Sequence, residues 1–146
     1  MFKHALIATD GSELSTRALA TGLSLAKALE AKATIVTVTE PRTASDSRSG
    51  RRCFAGNRLR LAPSQRLRKR YLRRPKQSAG KLGISFDTVH VPNEFPAEGI
   101  LKEAEARGCD LIIMASHGRR AVARALLGGE ALRVVTNSTV PVLVCR

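Results

Sequence analysis

The most constraining feature of the sequence is a run of five apolar residues, Leu111 to Ala115, that stops abruptly at Ser116-His117-Gly118. A basic segment follows, and the Gly128-Gly129 pair then precedes a helical pattern. This order is typical of a buried parallel strand, a glycine-hinged loop and a helix start. Unpaired amides and a positive dipole at such a helix start suit an anion. The stretch therefore predicts a phosphate-binding loop at the carboxyl end of a strand.

Strand-like segments alternate with helical patterns along the rest of the chain. The predicted strands cover residues 4–9, 33–39, 84–91, 111–115 and 140–145, and the predicted helices cover about 12–31, 96–107 and 126 or 128 to 137. A further helix over 65–82 has only a thin apolar stripe and is interrupted by Pro75. This alternation predicts βαβ units, and hence an α/β fold with a doubly wound, mostly parallel five-stranded sheet and helices on both faces.

Length and composition set further bounds. A chain of 146 residues suits one domain, and its apolar runs are too short to span a membrane. The first apolar run stops at Asp10, which is too early for a secretory signal, so we expect a cytoplasmic protein. Three cysteines form no CxxC pair, and Cys109 and Cys145 are predicted to be core thiols. Three dispersed histidines give no support for a zinc site.

The net charge of +13 is concentrated in one segment. Residues 42–81 contain 14 Lys or Arg and one acid, whereas the rest of the chain carries 11 basic and 11 acidic residues. Three interpretations are open for the aperiodic stretch at about 42–76: a nucleic-acid-contacting loop, a solvated loop, or translation in a shifted reading frame. The abrupt change of composition at Arg42 and the recovery near Ser78 favour the third, which requires compensating single-base insertions or deletions in the gene.

Four segments together resemble the universal stress protein (UspA) family. They are ATDGS after the first strand, IIMASHGR after the fourth, LLGG, and the closing VPVLVCR. The resemblance covers residues 1–41 and 82–146. The ATP-binding subgroup of that family carries G-x-x-G, nine residues, then G-[S/T]. Here the frame is Ala115 to Gly118, nine residues, then Gly128-Gly129, so the spacing is kept and Ala115 and Gly129 depart from it.

The resemblance assigns roles to individual residues. Asp10 would face the ribose hydroxyls, Val38 would meet adenine through its backbone, and Gly118, Gly128 and the Gly129 amide would hold phosphates. The remaining nucleotide-binding candidates are neighbours in the same motif: Met114, Ala115 and Glu130. The alternatives are that Asp10 only caps the first helix and that the glycines serve only as turn and cap residues. A missing hydroxyl at Gly129 would weaken binding by about ten- to a hundredfold, since a hydrogen bond to a charged group contributes roughly 1.5 to 3 kcal/mol.

The function implied by the resemblance is that of a cytoplasmic, ATP-binding stress-response regulator. ATP, with or without Mg²⁺, is the expected ligand, with at most weak hydrolysis and no catalytic residue assigned. We expect the strand order 3-2-1-4-5 and a homodimer formed through the C-terminal strand, which would cover an apolar sheet edge. The alternative is a dimeric interaction module that binds no nucleotide. Nucleic-acid binding depends entirely on the basic segment at 42–76 and ranks third, and no membrane partner is expected.

Overall fold

The computed structural model describes residues 1–40, 85–117 and 127–146. Its strands are β1 (His4–Ala8), β2 (Lys32–Thr39), β3 (Phe86–Pro92), β4 (Leu111–Ala115) and β5 (Val142–Cys145). Its helices are α1 (Glu13–Ala28), α2 (Pro96–Ala106) and α3 (Gly129–Asn137). The predicted helix over 65–82, the basic segment at 42–76 and Gly118 lie outside the described residues.

The five strands form one parallel sheet in the order β3-β2-β1-β4-β5. This confirms the predicted α/β class and strand order. β1 lies at the centre, where Ala5 is paired with Ala33 of β2 and with Leu111 of β4. Its residues from Ala5 to Ala8 are all buried, because helices cover both faces of the central strands of a parallel sheet.

Alternate residues of each strand contribute to two separate cores. On one face, α1 packs on a cluster that includes Ile7, Leu19, Leu23, Ile35 and Ile113. On the other face, α2 and α3 pack on a cluster that includes Leu6, Val36, Ile100, Ile112 and Val134. The period of two along each strand therefore fills both layers, as a doubly wound fold requires. Among the described helices, none is long and apolar enough to cross a membrane.

Small differences from the predicted boundaries have local causes. α1 ends at Ala28 rather than near Ala31, because Glu30 takes a left-handed backbone conformation with φ 53°. β5 begins only at Val142, because Pro141 has no N–H to donate to its neighbour, although its carbonyl accepts a hydrogen bond from the Ile112 amide at 3.0 Å. α2 begins at Pro96 and is followed by Gly108 with φ 61°, in agreement with the predicted proline start and glycine stop.

Gly99 allows α2 to lie very close to β2. A Cβ atom placed on Gly99 would lie 2.8 and 3.0 Å from the two γ-carbons of Val38. Both methyl groups of a valine cannot turn away at once, so any side chain at residue 99 would push the helix outward. The first turns of α2 are therefore held directly over the carboxyl-terminal part of β2.

At the amino-terminal ends of the strands, Asp110 joins the start of β4 to the start of β1. Its carboxylate accepts hydrogen bonds from the backbone amides of Lys3 at 2.7 Å and His4 at 3.0 Å. Burial raises the pKa of the Asp110 carboxyl, but these amides favour the charged form and hold its pKa below the ordinary value. Because the pKa is lowered on folding, the stabilisation is present above the unfolded-state pKa and is lost as the pH falls through the folded-state value.

We predict that Asp110→Ala lowers the free energy of unfolding by about 1 kcal/mol at pH 7, because two hydrogen bonds to a partly exposed carboxylate are lost. The difference from the wild type should shrink below about pH 4, where the carboxyl group of the unfolded chain becomes protonated. Urea unfolding at several pH values measures this. Asp87→Ala, at an exposed carboxyl on β3, is the matched control. A difference that does not depend on pH would contradict the assignment.

Candidate functional site

The carboxyl ends of β2, β1 and β4 meet at one edge of the sheet. The pairing of Ala8 with Val36, extended by two residues, brings Asp10 level with Val38. The pairing of Ile7 with Ile113, extended in the same way, brings Ala115 level with Thr9, the residue before Asp10. β1 is followed by α1 on one face of the sheet and β4 by α3 on the other. In a doubly wound fold a ligand crevice is expected between the β1–α1 turn and the start of α3. Ligands of doubly wound folds bind at this type of switch point.

Asp10 supports the turn between β1 and α1. Its Oδ1 atom accepts a hydrogen bond from the Ser12 amide at 2.9 Å. The N-cap of α1 is Ser12, whose hydroxyl oxygen accepts from the Ser15 amide at 3.2 Å. Gly11, between them, has φ 76°, which favours glycine. Asp10 therefore does not cap α1 itself, as one interpretation of the sequence suggested. It stabilises the turn that places Ser12 at the N-cap.

Three of the predicted site residues lie at the carboxyl ends of β2 and β4: Val38, Met114 and Ala115. The side chain of Val38 packs beneath Gly99, so any contact of Val38 with a ligand falls to its main chain. Met114 is buried in the core beneath α2 and α3. Ala115 is 7% exposed and is not among the described residues with positive φ, which are Glu30 and Asn93 apart from glycines. An alanine methyl group is thus accommodated where the related motif has glycine.

Gly128 is held against the end of β4 by its backbone. The Gly128 amide donates to the Ser116 carbonyl at 2.8 Å, and the Ser116 amide donates to the Cys145 carbonyl at 2.7 Å. A Cβ atom on Gly128 would lie 3.0 Å from that Ser116 oxygen. Gly128 therefore allows the backbone before α3 to approach the end of β4 closely. Its N–H is not free for a ligand, because the Ser116 carbonyl already accepts from it.

The first turn of α3 presents backbone donors to the crevice. α3 begins at Gly129, and its N-cap, Gly128, makes no side-chain capping bond. The first bond within the helix runs from the Leu132 amide to the Gly128 carbonyl at 2.9 Å. The N–H groups of Gly129, Glu130 and Ala131 therefore have no acceptor within the helix, at the end where the dipole is positive. Such an end is suited to phosphate.

Gly129 also leaves room beside these donors. Among the described residues, none lies within 4 Å of a Cβ atom placed there. The absence of a hydroxyl at residue 129 is therefore not imposed by packing against the described part of the chain.

Both carboxylate oxygens of Glu130 have partners within the protein. Its Oε2 atom accepts a hydrogen bond from the Ala97 amide of α2 at 2.7 Å. Its Oε1 atom lies 3.5 Å from a guanidinium nitrogen of Arg133. The group of Glu130 that is available for a ligand is consequently its backbone N–H.

The histidine and cysteine side chains do not form a metal centre in the described part of the chain. His117 Nδ1 lies 3.1 Å from the hydroxyl of the buried Ser116, and residues 1–40, 85–117 and 127–146 contain no cluster of three or more metal-ligating side chains. Cys109 lies in the core as predicted, where burial raises the pKa of its thiol to about 11 while nearby Arg107 acts in the opposite direction. Cys145 is half-buried, and burial raises the pKa of its thiol as well.

Sequence reasoning missed two features of the site. One is Gly99, which brings α2 onto Val38, and the signal that could have revealed it is a glycine within a helical pattern. The other is the partner of Glu130, which lies 33 residues away in the chain and has no local signature.

Comparison with known proteins agrees with this architecture. The model of the "Universal stress protein family" matches residues 1–146. The chain is 29% identical over 149 aligned positions to universal stress protein YxiE of Bacillus subtilis, and the alignment covers all of both chains.

Solved structures of similar fold include two complexes with nucleotides. A universal stress protein in complex with cAMP is 23% identical, with a TM-score of 0.70 over 99% of this chain and 97% of its own. The universal stress protein of Archaeoglobus fulgidus in complex with dAMP is 15% identical, with a TM-score of 0.69 over 100% of this chain and 98% of its own. At these identities the two structures support the fold alone. Because the family model spans its whole length, the chain belongs to the universal stress protein family.

Proposed function

We propose that this chain binds an adenine nucleotide in the crevice between the β1–α1 turn and the start of α3. The main support for the proposal is the first turn of α3, where three backbone donors have no acceptor within the helix and Gly129 has no described neighbour in the way of a side chain. Two structurally similar family members, solved in complex with cAMP and dAMP, make nucleotides the natural class of ligand.

In the proposed complex the phosphates lie on the amides of Gly129 and Glu130. Adenine contacts the main chain of Val38, and the ribose lies near Asp10, in the roles that the family resemblance assigns to these residues. Ala115 lies at the strand end between the two halves, above the buried Met114. Gly118 would complete the phosphate contacts from outside the described ranges. ATP, with or without Mg²⁺, is the proposed physiological ligand.

We further propose a cytoplasmic regulator whose nucleotide occupancy alters a surface offered to partners. The binding energy would favour one conformation of the protein. Chemistry on the nucleotide is not required for this role, and hydrolysis would be slow at most.

A dimer through β5 is the second part of the proposal. β5 is an edge of the sheet, and its four residues are only partly buried. Leu132 and Val135 of the adjacent α3 are 54% and 43% exposed, which is unusual for apolar side chains three residues apart on one helix face. Pairing of two β5 strands would extend the sheet and cover this apolar surface. A dimeric module that binds no nucleotide would use the same surface.

Nucleotide binding is tested by calorimetric titration with AMP and with ATP in the presence and absence of Mg²⁺. We expect the wild type to bind and Gly129→Ser to bind about ten- to a hundredfold more tightly, because the new hydroxyl adds a donor to phosphate. Gly129→Ala is the matched control, since it adds the Cβ atom without the hydroxyl and should bind like the wild type. No heat with either nucleotide at millimolar concentration would leave the non-binding dimeric module as the function.

Light scattering in solution tests the dimer. We expect the wild type to have twice the mass of the chain and the double variant Leu132→Glu/Val135→Glu to have the mass of a monomer, because buried like charges would oppose pairing. Phe95→Ser removes an equally exposed apolar residue at the start of α2 and should leave the dimer intact. A monomeric wild type would rule out the β5 interface.

A further inference from the structure

The N-terminus of α2 has no cap of its own. Its N-cap residue, Phe95, makes no side-chain capping bond, and helix position N1 is Pro96. The next residue, Ala97, is 1% exposed, so water does not reach its amide freely. The acceptor for this amide is Oε2 of Glu130, which comes from the first turn of α3 at 2.7 Å. A carboxylate at a helix N-terminus is also favoured by the helix dipole.

A second contact joins the same two helix ends. Arg133 of α3 places one guanidinium nitrogen 3.1 Å from Glu98 of α2 and another 3.5 Å from Glu130. These pairs are about half exposed, so they contribute little by themselves. The bond from the Ala97 amide to Glu130 is partly buried and charge-assisted, and it is the stronger of the two connections.

Each of the joined helix ends belongs to one half of the proposed nucleotide crevice. The first turns of α2 lie on Val38 through Gly99, on the side proposed for the base. The first turn of α3 carries the open amides of Gly129 and Glu130, on the side proposed for the phosphates. A single hydrogen bond thus connects the base side and the phosphate side.

We infer that Glu130 is a positioning residue that sets the spacing between the two halves of the crevice by capping α2 from α3. This inference rests on the proposed nucleotide binding and gives the Glu130 side chain a role without contact to the ligand. A ligand that spans both halves depends on their spacing, because a misplaced group loses much of its binding energy. A ligand that occupies only the phosphate half does not depend on it.

The test compares AMP, which spans both halves, with inorganic tripolyphosphate, which occupies the phosphate half alone. We expect Glu130→Ala to weaken AMP binding by about five- to tenfold, the lower range of typical couplings between sites, and to leave tripolyphosphate binding unchanged or tighter. Glu130→Gln keeps an acceptor oxygen for the Ala97 amide and should bind AMP at least as tightly as the wild type. Glu105→Ala removes the same charge from an exposed position near the end of α2 and should change neither affinity.

Amide hydrogen exchange reports on the Ala97 amide directly. The Ala97 amide should exchange faster in Glu130→Ala but not in Glu130→Gln, and saturation of the wild type with AMP should slow its exchange. The wild-type measurement remains decisive if the alanine variant fails to fold.

The outcomes separate the two claims. A wild type that binds neither AMP nor tripolyphosphate overturns the proposed function and the positioning role with it. A wild type that binds AMP without any change in Ala97 exchange, or a Glu130→Ala variant that loses AMP and tripolyphosphate equally, overturns the positioning role alone.

Discussion

The parallel pairing of β1 between β2 and β4 is the constraint on which the rest of the structure depends. The backbone groups of β1 find their partners in both neighbours, and its side chains are buried on both faces. Parallel strands require crossovers, so the helices must cover the two faces. The same pairing places the carboxyl ends of all three strands at one edge. Asp10, Val38 and Ala115, which are far apart in the chain, become neighbours through this register.

The proposed site at this edge consists mainly of backbone groups. Gly128 approaches Ser116 so closely that its amide is used within the chain, whereas the three amides that follow it have no acceptor within α3. Gly129 has space for the hydroxyl that the related motif carries, and the affinity we propose is accordingly weaker than in a chain with serine or threonine there. The carboxylate of Glu130 accepts a hydrogen bond from the Ala97 amide and so joins the first turns of α2 and α3.

The sequence was sufficient to predict the fold. Strand-length apolar runs and their alternation with helical stripes determined the class, because both signals depend on local periodicity. The spacing of the glycine motif predicts a phosphate-binding loop, most of which lies outside the described residues. That spacing could not show that the Gly128 amide is bonded to the Ser116 carbonyl, because this bond depends on where β4 ends. The cap supplied to Ala97 by Glu130 likewise depends on how α2 and α3 pack.

The charge of the chain bears on the ranking of functions. The described ranges carry eight Lys or Arg and eleven Asp or Glu, so the basic excess lies entirely in residues 41–84 and 118–126. The described part of the chain therefore has a small net negative charge, and a nucleic-acid function would have to reside in those two segments.

The central claim is that nucleotide occupies the edge formed by β1, β2 and β4. Its most direct test is an NMR titration of ¹⁵N-labelled protein with AMP. The account predicts that the amide signals of Gly129, Glu130 and Val38 shift together with one dissociation constant, while those of Lys3 and His4 at the opposite edge stay in place. Shifts confined to other regions, or none at saturating AMP, would contradict it.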